Sequence, residues 1–134
     1  MSDTEDSELD ELRKERMEQL KEEAETPDTP DEPITLGSSE DFDAAVSKYD
    51  VTLVDFHADW CGPCKMLTPV VQTIAAETDA AVFKVDIDAH QGIAQRMGVR
   101  SVPTLHLYAN GEQVEQLIGV QNEETLRKLI EQHG

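Results

Sequence analysis

Two cysteines stand between a hydrophobic run and a helical pattern, and this arrangement constrains the fold more than any other feature. The run Asp59–Lys65 reads DWCGPCK and contains Cys61 and Cys64, the two cysteines of the chain. It follows residues 51–56, whose sequence VTLVDF is typical of a buried strand. Apolar residues then recur at helical spacing, at Leu67, Val70, Val71, Ile74 and Ala75. The pattern therefore predicts that the cysteines lie where a buried strand turns into a helix.

This position has chemical consequences for the two thiols. Thiolate is the nucleophilic form of cysteine, and the free N–H groups at a helix N-terminus favour it. Cys61 comes first and is predicted to be exposed and reactive, whereas Cys64 lies one turn further on, within reach of a disulfide once the backbone allows it. Pro63 in the first helical turn costs no hydrogen bond. Gly62 lets the backbone of a partner come close.

The run from Trp60 to Lys65 resembles the active-site motif of the thioredoxin family, and the resemblance extends over residues 34–134. It implies an α/β protein with the thioredoxin fold, a central mixed five-stranded sheet flanked by four helices. It also implies an enzyme that reduces protein disulfides, in which Cys61 attacks to form a mixed disulfide and Cys64 resolves it. The expected partners are client proteins with disulfides and a thioredoxin reductase. No bound cofactor is expected, because the electrons reside in the cysteine pair.

Asp55 is an acid within the apolar strand, where a carboxylate is costly unless it is paired or protonated. It resembles the buried acid of the family, which implies that it accepts a proton from Cys64. Lys84, in the neighbouring predicted strand, would modulate it. The alternative is a purely structural ion pair between Asp55 and Lys84.

Four further residues match family positions that line the cysteines. Pro103, in the sequence SVPT, resembles the cis-proline of the family, and Val102 before it would pair with an extended client segment through its backbone. Trp60 and Gly119 resemble residues of the same surface. The predicted binding patch consists of Trp60, Gly62, Pro63, Val102, Pro103 and Gly119. From the residues alone, Pro103 could equally be a trans proline that opens a strand, and Trp60 could serve packing only.

Two histidines depart from the family pattern. The family often has an aromatic residue where this chain has His57, and Asp88 occupies a position that can hydrogen-bond that aromatic. We therefore predict a contact between His57 and Asp88 that makes the reactivity of Cys61 depend on pH. His106 lies in a strand that is usually apolar, and we predict that it is a hydrogen-bonded core residue.

A metal site is a poor interpretation of the same residues. Structural zinc needs about four ligands, and the pair Cys61 and Cys64 supplies two. His57 could add a third, but the chain has no second cysteine pair. Iron–sulfur coordination has the same shortage, so no metal is expected.

The charge of the chain excludes some partners. The net charge is −18, whereas binding to nucleic acid phosphates requires clustered Lys and Arg. No run of 18 apolar residues suggests a membrane span, and the acidic start does not resemble a secretory signal. We therefore expect a cytoplasmic protein, which by resemblance is a monomer. Because acidic residues occur along the whole chain, we also expect halophilic adaptation to a salty cytoplasm.

Residues 1–33 lie outside the resemblance and form a predicted acidic N-terminal extension. Apolar residues at helical spacing predict a helix over 8–24, and three prolines predict a stiff linker over 26–33. The predicted thioredoxin domain is 34–134. Two alternatives remain for the function: a binding module that recruits a partner through the N-terminal helix, and a disulfide oxidase or isomerase built on the same fold.

Within 34–134 the patterns predict alternating strands and helices. The predicted strands begin near Ile34 and then cover 51–57, 80–86, 104–109 and 112–118. The predicted helices run from Ser38 or Ser39 to Lys48, over 62–78 and 91–97, and from an Asn122 cap to the end of the chain. Asn110-Gly111 predicts a tight hairpin between the last two strands.

Overall fold

The computed structural model describes residues 11–15 and 29–134. Residues 11–15 are helical, whereas the rest of the predicted helix over 8–24 lies outside the described residues. The same holds for 26–28 of the predicted linker, and its remainder, 29–33, has no helix or strand.

Five described strands form one mixed sheet. They are β1 (Ile34–Thr35), β2 (Val51–His57), β3 (Ala81–Asp86), β4 (Thr104–Ala109) and β5 (Glu112–Ile118). Their order in the sheet is β1-β3-β2-β4-β5. The first three neighbours run parallel, whereas β4 is antiparallel to both β2 and β5. This is the mixed five-stranded sheet that the resemblance implied.

Four helices of the domain cover the two faces of this sheet. They are α1 (Ser39–Lys48), α2 (Gly62–Glu77), α3 (Gln91–Arg96) and α4 (Glu123–His133). The predicted strands and helices therefore agree with the structure to within one or two residues.

Strand β2 lies in the middle of the sheet, and its successive side chains alternate between two hydrophobic cores. Leu53 belongs to a cluster with Leu67 of α2 and Leu126 of α4. Val54 belongs to the opposite cluster, with Phe42 of α1. All positions of β2 up to Phe56 are buried, as expected for a strand covered on both faces. The odd-numbered residues of β2, including Asp55, therefore face α2 and α4.

The predicted turn and caps follow from local hydrogen-bonding chemistry. Asn110 and Gly111 both have positive φ, 51° and 84°, which is the backbone that a two-residue hairpin requires. The side chain of Asn122 accepts a hydrogen bond from Thr125 N at 2.8 Å and caps α4. Of the two serines proposed as the cap of α1, it is Ser38 whose hydroxyl oxygen accepts from Asp41 N, at 3.1 Å.

Replacing Ser38 with alanine is expected to lower the free energy of unfolding by about 1 kcal/mol, because the N–H of Asp41 loses its acceptor. Denaturant unfolding followed by circular dichroism measures the change. Ser39→Ala is the matched control, since Ser39 is the exposed first residue of α1 and the side-chain cap comes from Ser38. Equal losses from the two substitutions would contradict the assignment of the cap.

Candidate active site

The two cysteines form a disulfide at the junction between β2 and α2. Their Cα atoms are 5.3 Å apart. Cys61 is the N-cap residue of α2, and its Sγ accepts a hydrogen bond from Cys64 N at 3.2 Å. The helix N-terminus thus offers an N–H donor to the sulfur of Cys61, which favours the thiolate after reduction.

Cys61 is not exposed, and the prediction that it would be is wrong for this disulfide form. Its relative exposure is 3%, and that of Cys64 is 5%. The pair packs with Ala58 against Ile87 and Val102, two side chains contributed by other loops. A partner must therefore contact these apolar neighbours before its sulfur can reach Cys61.

The Val102–Pro103 peptide bond is cis, as the resemblance implied. Pro103 is buried, and Val102 is half-buried against the two cysteines. The carbonyl oxygen of Pro103 accepts a hydrogen bond from Gly119 N at 2.9 Å. Gly119 has φ of 90°, a conformation that residues with a Cβ rarely adopt. This hydrogen bond joins Gly119 to the segment that contacts the cysteines.

Exposed or half-buried apolar residues flank the disulfide in sequence or lie on the segments joined to it, and we call them the apolar rim. We use this name for the predicted residues Trp60, Pro63, Val102 and Gly119 together with Met66, Ile118 and Val120. Trp60 is 70% exposed, and Gly62 and Pro63 are also exposed. Met66 follows Pro63 by one turn, and Ile118 and Val120 flank Gly119. These last three are exposed and were not among the residues predicted from the sequence. The signal was available, because Ile118 and Val120 are large apolar residues beside Gly119, and Met66 lies one turn after Pro63.

Asp55 is sealed inside the protein. Its relative exposure is 1%, and neither carboxylate oxygen has a hydrogen-bond partner among the described residues. Burial raises the pKa of Asp55 to about 6, although the positive charge of Lys84 opposes the rise. Lys84 is the register partner of Asp55 on β3 and is half-buried. The two therefore influence each other through charge rather than through a hydrogen-bonded ion pair.

The predicted contact between His57 and Asp88 is wrong. Asp88 Oδ2 instead accepts a hydrogen bond from Trp60 Nε1 at 2.8 Å, so this carboxylate holds the exposed indole in place. The Nε2 atom of His57 is buried without a hydrogen-bond partner among the described residues. Burial lowers the pKa of His57, and Lys84 lowers it further, whereas Asp86 and Asp59 raise it.

His106 is a core residue, but the prediction that it is hydrogen-bonded is also wrong. It is fully buried, and neither ring nitrogen has a partner within the described part of the chain. Its ring meets Phe56 edge-on at 4.9 Å between centroids. Burial lowers the pKa of His106, so the imidazole is neutral and packs as an aromatic side chain.

No group of three or more His, Cys, Asp or Glu side chains in 11–15 and 29–134 could hold a metal ion. None of the helices in these ranges is long and apolar enough to cross a membrane.

Comparisons with known proteins agree on one family. The family model described as Thioredoxin matches residues 33–132. A thioredoxin from Chlamydia muridarum is 43% identical over 101 residues, which are 75% of this chain and 98% of the relative. A thioredoxin from Chlamydia caviae is 42% identical over 98 residues, 72% of this chain and 95% of the relative.

Solved structures give the same result. A mutant thioredoxin from Halobacterium salinarum is 53% identical, with a TM-score of 0.76, and the match covers 78% of this chain and 93% of the other. A thioredoxin from Nicotiana alata is 36% identical, with a TM-score of 0.68, and the match covers 78% and 94% of the two chains.

Proposed function

This chain belongs to the thioredoxin family and is a thiol–disulfide oxidoreductase whose redox-active pair is Cys61–Cys64, and we propose that it works as a reductant of protein disulfides. In the reduced protein, the Cys61 thiolate attacks one sulfur of a client disulfide and expels the other as a thiolate. The Cys64 thiol then loses its proton and attacks Cys61. The second client thiolate leaves, and two electrons have passed from the cysteine pair to the client.

The observation that carries this proposal is the position of Cys61. It caps α2, and the N–H of Cys64 points at its sulfur. This arrangement favours the thiolate at Cys61, whereas Cys64 lies inside the helix. The roles of nucleophile and resolving residue follow from that difference.

Asp55 is the proposed proton acceptor for Cys64. It is buried on the face of β2 against which α2 packs, and Cys64 is in the first turn of α2. A carboxylate with a pKa of about 6 is ionised at neutral pH, yet holds a proton more readily than an ordinary aspartate. Lys84 is the proposed modulator, because its charge favours the ionised form of Asp55.

The apolar rim is the proposed docking surface for clients, with Gly62 and Pro103 beside it. An extended client segment would pair with the backbone of Val102 and lie against Trp60 and Pro63. The supporting observation is the exposure of Trp60 next to two almost fully shielded sulfurs.

The remaining partners follow from family membership. Thioredoxins are recharged by a thioredoxin reductase, and we propose the same for this chain, with client proteins as the other partners. The redox-active pair carries the electrons, as in other thioredoxins, and requires no bound cofactor. We further propose that the protein is a cytoplasmic monomer and that residues 1–33 form an acidic extension to a domain at 34–134. The family match over 33–132 supports this division.

The acidic surface is the basis for a proposed adaptation to high salt. The net charge is −18, and a thioredoxin from Halobacterium salinarum is 53% identical. At molar ionic strength the Debye length falls to about 3 Å, so repulsion between surface carboxylates is largely screened.

Reduction of insulin driven by dithiothreitol tests both proposals. We expect turnover in dilute buffer and a higher rate in molar KCl, because screening removes self-repulsion of the acidic surface. The melting temperature is expected to rise by several degrees over the same range of salt. The control is the uncatalysed rate at each KCl concentration. An absence of turnover from folded protein would contradict the reductase, whereas a rate that falls with KCl would contradict only the salt adaptation.

A further inference from the structure

Four ionisable side chains lie on one face of two paired strands. Asp55 and His57 are two residues apart on β2, so both point toward α2 and α4. Their register partners on β3 are Lys84 and Asp86. All four are at the end of the sheet from which β2 leads to the cysteines.

A proton on Asp55 has no direct exit to solvent. Both carboxylate oxygens are buried and lack a partner among the described residues. A groove of about 680 Å³ reaches Lys84 between α2 and the residues before β1, but Asp55 does not line it. An ammonium group is a hydrogen-bond donor without an acceptor site, so Lys84 cannot take the proton up. If Asp55 receives a proton in every catalytic cycle, another group must carry it away.

His57 is the group placed to do so. It is half-buried, whereas Asp55 is sealed, and its Nε2 is an unpartnered buried nitrogen. The Cα atoms of residues two apart along a strand are about 6.7 Å apart, so the two side chains are neighbours on the same face, where a water between them can connect their polar atoms. A neutral imidazole accepts a proton at one nitrogen and releases one from the other.

The charged neighbours of His57 act on its pKa in opposite directions. Burial and Lys84 lower the pKa of His57, whereas Asp86 beside it and Asp59 in the following loop raise it. The Oδ1 atom of Asp86 accepts hydrogen bonds from the backbone N of Asp88 at 2.9 Å and from the backbone N of Ala89 at 3.3 Å, and no hydrogen bond to His57 is formed among the described residues. Asp86 therefore acts on His57 through charge.

We propose that His57 is a positioning residue that relays protons between Asp55 and solvent. After Cys64 has given its proton to Asp55, the carboxylic acid passes it through a water to His57. The imidazolium then releases a proton to bulk solvent and returns to the neutral form. No electrons move in these steps: each oxidation of the cysteine pair exports the one proton that Cys64 lost, and each re-reduction returns one proton to Cys64 by the reverse path. This inference rests on the proposed role of Asp55 as the acceptor.

The proton exchange rate of Asp55 tests the relay directly. The carboxyl carbon of Asp55 can be labelled with ¹³C, and NMR relaxation dispersion near pH 6 measures exchange between its protonated and ionised forms. His57→Gln and His57→Phe are expected to slow this exchange at least about tenfold. Added imidazole should restore it in both variants, which a merely structural role of His57 would not allow.

His90→Gln is the matched control, since His90 is also half-buried but lies at the start of α3, and it should leave the exchange rate unchanged. Unchanged exchange in both His57 variants would overturn the relay, as would slow exchange that imidazole does not restore. Slower exchange in Lys84→Gln but not in the His57 variants would also overturn it, because the proton would then leave through the groove.

The insulin assay of Asp55→Asn tests separately whether Asp55 is the proton acceptor for Cys64. If Asp55→Asn reduces insulin as fast as the wild type, Asp55 is not the acceptor and the relay has no catalytic use. If Asp55→Asn is slow while the His57 variants exchange normally, only the relay is overturned.

Discussion

Replacement of Cys61 with serine should lower insulin-reduction turnover by about 10³-fold or more, to the uncatalysed rate. The serine hydroxyl cannot form a disulfide. It also remains protonated at neutral pH, whereas a cysteine thiol at the N-terminus of α2 readily ionises to the thiolate. The reaction then loses both its nucleophile and its covalent intermediate. Turnover with dithiothreitol as the electron donor measures the loss, after circular dichroism has shown that the variant is folded.

Cys64→Ser is the matched control for Cys61→Ser. It keeps the attacking sulfur but removes the residue that resolves the mixed disulfide, so it should remain covalently bound to its client. Mass spectrometry of the oxidised mixture should show the client adduct for Cys64→Ser and none for Cys61→Ser. A client adduct on Cys61→Ser instead would show that the two roles are exchanged.

Asp55→Asn should stabilise the folded protein and slow its catalysis. The pKa of Asp55 rises from 3.8 to about 6 on folding, so the folded state binds this proton more tightly than the unfolded state does. The stability that Asp55 contributes is present below pH 3.8 and is lost as the pH rises through about 6. The difference between these two pKa values corresponds to roughly 3 kcal/mol of stability. Asparagine has no proton to lose and avoids this penalty.

We therefore expect Asp55→Asn to raise the free energy of unfolding by roughly 3 kcal/mol at pH 7, and the melting temperature by roughly 10 °C. The gain should shrink as the pH falls from 6 to 4. Turnover should fall by about 10²-fold, since Cys64 loses its proton acceptor. Guanidinium unfolding from pH 4 to 8 and the insulin assay measure the two effects.

Asp50→Asn is the matched control, because Asp50 is an exposed acid directly before the same strand. It removes one negative charge without removing a buried carboxylate, and its stability should not follow this pH dependence. A stability gain in Asp55→Asn that is constant from pH 4 to 8 would contradict the raised pKa.

The sequence was sufficient for features that local chemistry determines. The cysteines at a strand–helix junction follow from hydrophobic periodicity around Asp59–Lys65. The burial of Asp55 follows from the apolar residues on either side of it. The cis bond before Pro103 came from family resemblance, because the residues alone fitted a trans proline equally well.

The errors in the site arose where residues distant in sequence meet. Cys61 is covered by Ile87 and Val102, which come from two other loops. Family resemblance placed Val102 beside the cysteines, but no pattern near them indicates the cover by Ile87. Asp88 had two aromatic candidates near the site, and the choice of Trp60 over His57 depends on side-chain orientation. Sequence spacing predicts which elements meet, but it does not predict which of two neighbouring side chains takes a hydrogen bond.

The hydrogen bond between Trp60 and Asp88 has a practical consequence. Trp60 is the single tryptophan of the chain, and it precedes Cys61 directly. All indole emission from the protein therefore originates beside the sulfurs, from a ring that Asp88 holds in one orientation. We therefore expect the fluorescence of Trp60 to report whether the cysteine pair is oxidised or reduced, without any added dye or label.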